Sequence, residues 1–223
     1  MGAFRGFPPD ALDFYAGLVA DNSKAYWEAN KETYLTAVRG PMEALVAEID
    51  ERFRPLKMFR PNRDVRFSKD KSPYKTGCAA YGEAEGGAGY YVHLDADGLI
   101  VGTGMYGMAS DQLDRYRDAL VDDAKGTELT DLLAPLAKKG FHPFAHDQLK
   151  TAPRGYPKDH PRNELLRLNG LAMSKPLGAG PWLSTPKALK KVEEAWAACD
   201  PVNDWLARNV GPSELPPADF DRF

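Results

Sequence analysis

Cysteine is scarce in this chain. Cys78 and Cys199 are the only two in 223 residues, too far apart to staple a protein of this size. They form no Cys-x-x-Cys pair, so a zinc ribbon and a dithiol redox motif are both excluded. Long apolar runs are lacking too: no window approaches the roughly 20 apolar residues that a bilayer span needs. The opening Met1-Gly2-Ala3-Phe4-Arg5-Gly6-Phe7-Pro8-Pro9 has no stretch of signal-peptide length, and Gly6 stands where a myristoylation signal would want Ser or Thr. Excess charge is missing as well. A formal net charge of -3 and a pI near 5.9 do not describe a polycation that wraps nucleic acid. These absences predict a soluble, cytoplasmic protein with reduced thiols and no membrane partner, in which any anion is met by a local patch.

What is present is enough for a core, with 43% hydrophobic and 27% charged residues. No stretch reads as a linker and no repeat is visible. The reading is one α+β domain over residues 7–210, followed by a loose Pro-rich tail over 211–223. Pro8-Pro9 opens a short helix, and Asp21-Asn22-Ser23 breaks it and caps the next. Trp27, Tyr34, Val38, Met42, Leu45, Ile49 and Phe53 recur at helical steps, which predicts a long packed helix that Gly40-Pro41 kinks or splits. Between about residues 63 and 104 the pattern turns to short alternations, with a hairpin signal at Asp97-Gly98. This predicts a small antiparallel sheet of three or four strands, with Gly82 to Gly89 as a mobile loop. Helices return near Ser110 and Thr127, a short one starts at Asp159-His160-Pro161, and a last pair follows Thr185-Pro186. The sheet is thus packed by helices from both the N- and C-terminal parts.

Charge is concentrated in two islands. Residues 60–75 hold six cations against two anions, a local net of +4. Residues 150–167 hold five against two, a local net of +3, which leaves -10 for the rest of the chain. Arginine offers a planar fork for phosphate or carboxylate, and lysine a point charge. Arg63 and Arg66 are an odd number apart, so one regular strand would turn them to opposite faces. A plain alternative is that Arg63–Asp64 and Asp70–Lys71 are solvated ion pairs at a turn.

The string Arg63-Asp64-Val65-Arg66-Phe67-Ser68-Lys69-Asp70-Lys71-Ser72-Pro73-Tyr74-Lys75-Thr76 resembles the signature of the bacterial and fungal family called domain of unknown function 2461. Asn22-Ser23-Lys24-Ala25-Tyr26-Trp27 is similar to its early Asn-Asn-x-x-Trp-Phe element, with the aromatic pair inverted. Gly155-Tyr156-Pro157-Lys158-Asp159-His160-Pro161 is similar to its Gly-Tyr-x-x-x-His-Pro element. Leu149-Lys150-Thr151 departs from the family's frequent Leu-Lys-Arg. The resemblance runs from about Phe7 to the final helix and implies a fold and a site, but no activity.

Three functions remain open, and the sequence leaves undecided whether the protein is an enzyme. In the first, the basic run binds a small phosphorylated or carboxylated molecule. Arg63, Arg66, Lys71 and Lys75 hold the anion, Tyr74 donates a hydrogen bond, and Asp64 or Asp70 orients the cations or acts as base. His160, flanked by Lys158 and Arg162 at a helix start, adds an imidazole and a further cation. The second is a metal-dependent phosphoesterase or nuclease, with Asp64, Asp70, Asp159 and Glu164 as oxygen ligands and His160 as acid–base group. The third is a non-catalytic module whose islands contact an acidic protein or nucleic acid. The carboxylate-poor signature favours the first. Both islands carry family-like strings, which predicts that they meet in space. No Cys/His cluster has ligand spacing, so no structural metal is expected, and nothing names a cofactor or an oligomeric state. Gly102-Thr103-Gly104-Met105-Tyr106-Gly107 matches a dinucleotide fingerprint in letters, but it closes a hairpin rather than opening a helix. His142 and His146 have helical metal spacing, yet Pro143 stands between them. His93 lies in a strand and faces either side.

Overall fold

The computed structural model describes residues 2–66, 69–83 and 87–215. Its architecture is α+β, with a six-stranded antiparallel sheet and helices drawn from both the N- and C-terminal parts. The strand order is β1-β2-β3-β4-β6-β5, for β1 (Lys57–Met58), β2 (Cys78–Glu83), β3 (Gly89–Asp95), β4 (Gly98–Met105), β5 (His142–Phe144) and β6 (Leu171–Gly178). The chain forms two compact units. The first is Met1–Glu83, Tyr90–Val101 and Pro176–Trp196; the second is Ala84–Gly89, Gly102–Lys175 and Ala197–Phe223.

In the first unit, α1 (Asp10–Ala20) buries Ala11, Phe14, Tyr15 and Leu18. Ser23 then caps α2 (Lys24–Ala29) by accepting from the Tyr26 N–H. The expected apolar stripe is real: Trp27, Tyr34, Val38, Met42, Leu45, Ile49 and Phe53 are all buried. The helix carrying it is divided differently from the expectation. Asn30 ends α2, and α3 (Lys31–Thr33) leads into π-helical turns over Tyr34–Arg39 and then α4 (Gly40–Glu48). The Gly40 N–H reaches back five residues to the Leu35 carbonyl. Pro41 has no N–H and its ring would crowd the Ala37 carbonyl in a regular α-turn, so the widened turn just before it carries the chain through without a break. Phe53, Tyr90 of β3 and Trp196 of α8 (Lys187–Ala197) meet edge to face at 4.9–5.3 Å.

In the second unit, α5 (Ser110–Val121) and α6 (Asp123–Lys138) bury Tyr116, Leu120, Leu129 and Leu136. With them are Val202, Trp205 and Leu206 of α9 (Asp200–Asn209). Asn203 donates to the buried Thr103 hydroxyl of β4 at 2.9 Å. Gly104 supports the close-packing reading of the glycine run, since a Cβ there would lie 2.5 Å from the Leu171 carbonyl oxygen. The tail begins tied down: Ser213 and Glu214 donate to the Asp111 carboxylate at 2.8 and 2.9 Å. Residues 216–223 lie outside the described residues.

The sheet is wider than the expected span of about 63–104. Asp97-Gly98 does turn the β3–β4 hairpin, but β1, β5 and β6 lie outside that span. Val65 stands in irregular chain rather than a strand. Of the stretch expected as a loop, Gly82 belongs to β2 and Gly89 to β3, and residues 84–86, like Phe67 and Ser68, lie outside the described residues.

Candidate functional site

The basic signature is a loop clasped at its base. Asn62 and Tyr74 face each other as an isolated antiparallel bridge. The Arg63 N–H donates to the Pro73 carbonyl at 2.9 Å, and the Lys75 N–H to the Pro61 carbonyl at 2.8 Å. Side chains alternate along such a pair. Tyr74 turns to the core, 7% exposed, with its ring stacked on Trp27 at 4.2 Å and 9°. Asn22 grips its backbone from both sides: Nδ2 donates to the Tyr74 carbonyl at 3.0 Å, and Oδ1 accepts from the Tyr74 N–H at 3.1 Å. The early Asn22…Trp27 element is therefore the anvil on which the signature is fixed. With Tyr74 facing inward, Arg63 and Lys75 share the other face.

That face opens on a pocket of about 300 Å³ lined by Phe59, Arg63, Lys75, Thr76, Gly77, Ala79, Tyr91 and His93. The Lys75 ammonium lies 4.9 Å from the centre of the Phe59 ring. Burial, and then the nearby Arg60, push the Lys75 amine below its ordinary pKa. None of the lining residues carries a carboxylate. In the same lining, His93 Nδ1 lies 3.0 Å from the Tyr91 hydroxyl, and its Nε2 lies 3.3 Å from Asp95 Oδ2. Burial holds the imidazole below its ordinary pKa, opposed by the Asp95 carboxylate. A Cβ on Gly77 would sit 2.2 Å from His93 Cε1, so the imidazole fits only because that residue is glycine.

The remaining residues of the run tie the loop together. Asp64 accepts from the Arg66 backbone N–H at 3.1 Å and from its guanidinium at 2.6–3.1 Å. Asp70 accepts from the Arg63 guanidinium and, at 2.9 Å, from the Ser72 N–H. The Lys71 ammonium donates to the Val65 carbonyl at 2.9 Å. Hydrogen bonds from Arg66 hold the Asp64 carboxyl down at about 2, and those from Ser72, then Arg63, do the same for Asp70. Carboxyls so readily ionised have little proton affinity at neutral pH, which suits orienting arginines better than acting as base. Among the described residues no group of three His, Cys, Asp or Glu is placed to hold a metal ion.

The second island belongs to the second unit and the first island to the first unit. The helix expected from Asp159 is only α7 (Asn163–Leu166). His160, rather than Asp159, closes the turn before it: its Nδ1 accepts from the Arg162 N–H at 3.2 Å. Arg162 is turned inward, its side chain 12% exposed, donating to the Leu120 carbonyl at 2.6 Å and the Asp122 carbonyl at 3.4 Å. Those carbonyls end α5, so the guanidinium caps a helix C-terminus. Glu164 pairs with Arg167, while Asp159 and Lys158 are exposed.

Tyr91 and His93 were not singled out by sequence as site residues. The available signal was on β3 itself, where apolar, buried Tyr90, Val92 and Leu94 alternate with Tyr91, His93 and Asp95. One face of the strand thus carries a phenol, an imidazole and a carboxylate in register.

An α+β fold with a small basic pocket beside a clasped arginine–lysine loop is the class of protein that these observations define. The chain belongs to the family described as "Conserved hypothetical protein (DUF2461)", which it matches over residues 10–205. No curated protein and no solved structure matches it. Among the described residues no helix is long and apolar enough to cross a membrane.

Proposed function

We propose that this protein binds a small phosphorylated or carboxylated molecule in the pocket beneath the clasped signature loop. The observation that carries the reading is the convergence of Arg63 and Lys75, from opposite arms of the clasp, on one cavity whose lining, among the described residues, has no carboxylate. The depressed Lys75 amine fits the same reading: burial and a neighbouring cation disfavour its charge, and a bound anion would restore it. Phe59, Tyr91 and His93 supply the apolar and ring surface that a small ligand covers. Buried free thiols at Cys78 and Cys199 suit a reducing compartment, and cytoplasmic residence is part of this proposal.

The test is thermal unfolding with phosphate, sulfate or chloride, on the parent and on Lys75→Met, which keeps the stem over Phe59. Phosphate at a hundred times its dissociation constant is expected to add about 2.7 kcal/mol, a rise of roughly 5–10 °C for a chain of this length. Lys75→Met should lose most of that rise while melting close to the parent without anion. An equal rise with chloride, or an undiminished rise in the variant, would sink the reading.

A further inference from the structure

Two of the pocket's lining residues, Tyr91 and His93, belong to a chain of polar groups on β3 that anion binding alone does not require. Tyr91, His93 and Asp95 occupy alternate positions of β3, and a strand aims such residues to the same side. The Tyr91 and His93 rings lie 6.0 Å apart and within 20° of parallel. The Asp95 carboxylate only accepts hydrogen bonds, so the proton on the imidazole belongs on Nε2, which faces it at 3.3 Å. Nδ1 is then an acceptor, and the Tyr91 hydroxyl donates to it at 3.0 Å. A carboxylate fixing one imidazole nitrogen while the other takes a proton from a hydroxyl is the arrangement by which weak nucleophiles and acids are activated.

We propose that Asp95, His93 and Tyr91 form a proton relay that makes the Tyr91 phenol oxygen the acid–base group of this pocket. The inference rests on the anion-binding reading for its substrate class: a phosphorylated or carboxylated molecule with an ionisable hydroxyl near the anion. The phenol proton passes to His93 Nδ1, giving an imidazolium beside the Asp95 carboxylate and a phenolate in the pocket that Arg63 and Lys75 also line. The phenolate then takes the substrate's hydroxyl proton. The net change is one proton moved from substrate to imidazole, with no electrons exchanged. Burial keeps His93 neutral, and the Asp95 carboxylate favours the imidazolium formed when it accepts a proton. Asp95 and Tyr91 face it from its own strand, and Arg63 and Lys75 are the charged groups among the described lining residues of the same pocket. Asp95 is a positioning residue, acting through His93. Gly77 belongs to the same device, because any side chain there would displace the imidazole.

The probe is phenylmethanesulfonyl fluoride, read by peptide mass spectrometry. The Tyr91 oxygen bonds to sulfur, the sulfur–fluorine bond breaks, fluoride leaves, and the phenol proton stays on His93. Labelling of Tyr91 is expected to be about a hundredfold slower in His93→Phe, the scale of general-base assistance, while exposed Tyr106 reacts equally in both proteins. In the parent the rate should fall with acid as His93 protonates. In Asp95→Asn that limb should move to lower pH, because the carboxylate that favours the imidazolium is gone; a merely structural Asp95 would not move it. Equal labelling of Tyr91 in parent and His93→Phe, or none in the parent, overturns the relay. Should His93→Phe not fold, nitrogen NMR of the parent decides: a proton on Nε2 supports the relay, and a proton on Nδ1 overturns it. Phosphate is expected to slow the labelling. Labelling that depends on His93 but ignores phosphate keeps the relay and removes the anion reading. A phosphate-raised melting temperature with His93-independent labelling does the reverse.

Discussion

Tyr74 sits in the most cation-rich part of the chain, yet its ring and backbone face inward, onto Trp27 and Asn22. The sequence suggests a ligand donor, and the stack on Trp27 together with the two Asn22 bonds also fixes the loop base. Tyr74→Ala is expected to cost about 3–5 kcal/mol, the usual loss for a large buried aromatic, and to abolish any phosphate response by releasing Arg63 and Lys75. Tyr74→Phe keeps the stack and both Asn22 bonds, and should stay within about 1.5 kcal/mol of the parent with its phosphate response intact. Urea unfolding with and without phosphate checks both. A parental phosphate response in a folded Tyr74→Ala would mean that the clasp does not position the cations. The signature itself was legible as residues, but the division between Arg63 and Lys75 at the pocket and Arg66 and Lys71 along the loop was not. It depends on which side of the Asn62–Tyr74 bridge each side chain leaves.

At the scale of elements, Arg162, a cation expected at a ligand, is bound to a helix end. Its guanidinium holds the Leu120 and Asp122 carbonyls, and a Cβ on Gly126 would come within 2.4 Å of its Nε. Arg162→Ala is therefore expected to lose roughly 1.5–3 kcal/mol, the range for charge-assisted hydrogen bonds, and to leave the phosphate-induced rise unchanged. A folded variant of parental stability that no longer responds to phosphate would return Arg162 to the ligand. Strongly periodic elements were legible, such as the stripe from Trp27 to Phe53 and the Asp97-Gly98 hairpin. Strand β6 was not: Leu171-Ala172-Met173-Ser174-Lys175-Pro176 has little local β preference. It is a strand because β4 and β5 pair with it on either side, with His142 of β5 opposite Ser174 and Phe144 opposite Ala172.

Across the whole molecule, pH should act in two windows. His93 is held below its ordinary pKa, so between that value and the depressed one the unfolded chain binds more protons than the folded protein. Its contribution is complete above about pH 6.5 and is lost as pH falls from there toward the depressed value. The carboxyls of Asp64, Asp70 and Asp111, all held at about 2, act lower down. Their contribution is present above the ordinary carboxyl range and fades as pH falls toward 2. Melting temperatures from pH 8 to pH 3 should show a first decline that His93→Gln flattens and a second that it leaves in place. A first decline identical in His93→Gln would show that the imidazole is not buried neutral.

The sequence by itself determined the fold class, because apolar periodicity and turn chemistry are local. It also located the basic signature, because composition is local too, and the likeness to the family follows from the same contiguous strings. Which of those charges share a pocket was decided only by the tertiary structure. Arg63 and Lys75 are twelve residues apart and meet because Tyr74 is drawn under Trp27. His93 joins them from β3, through the gap that Gly77 leaves. Such neighbours are set by packing between segments distant in sequence, and no periodicity within any one segment records them.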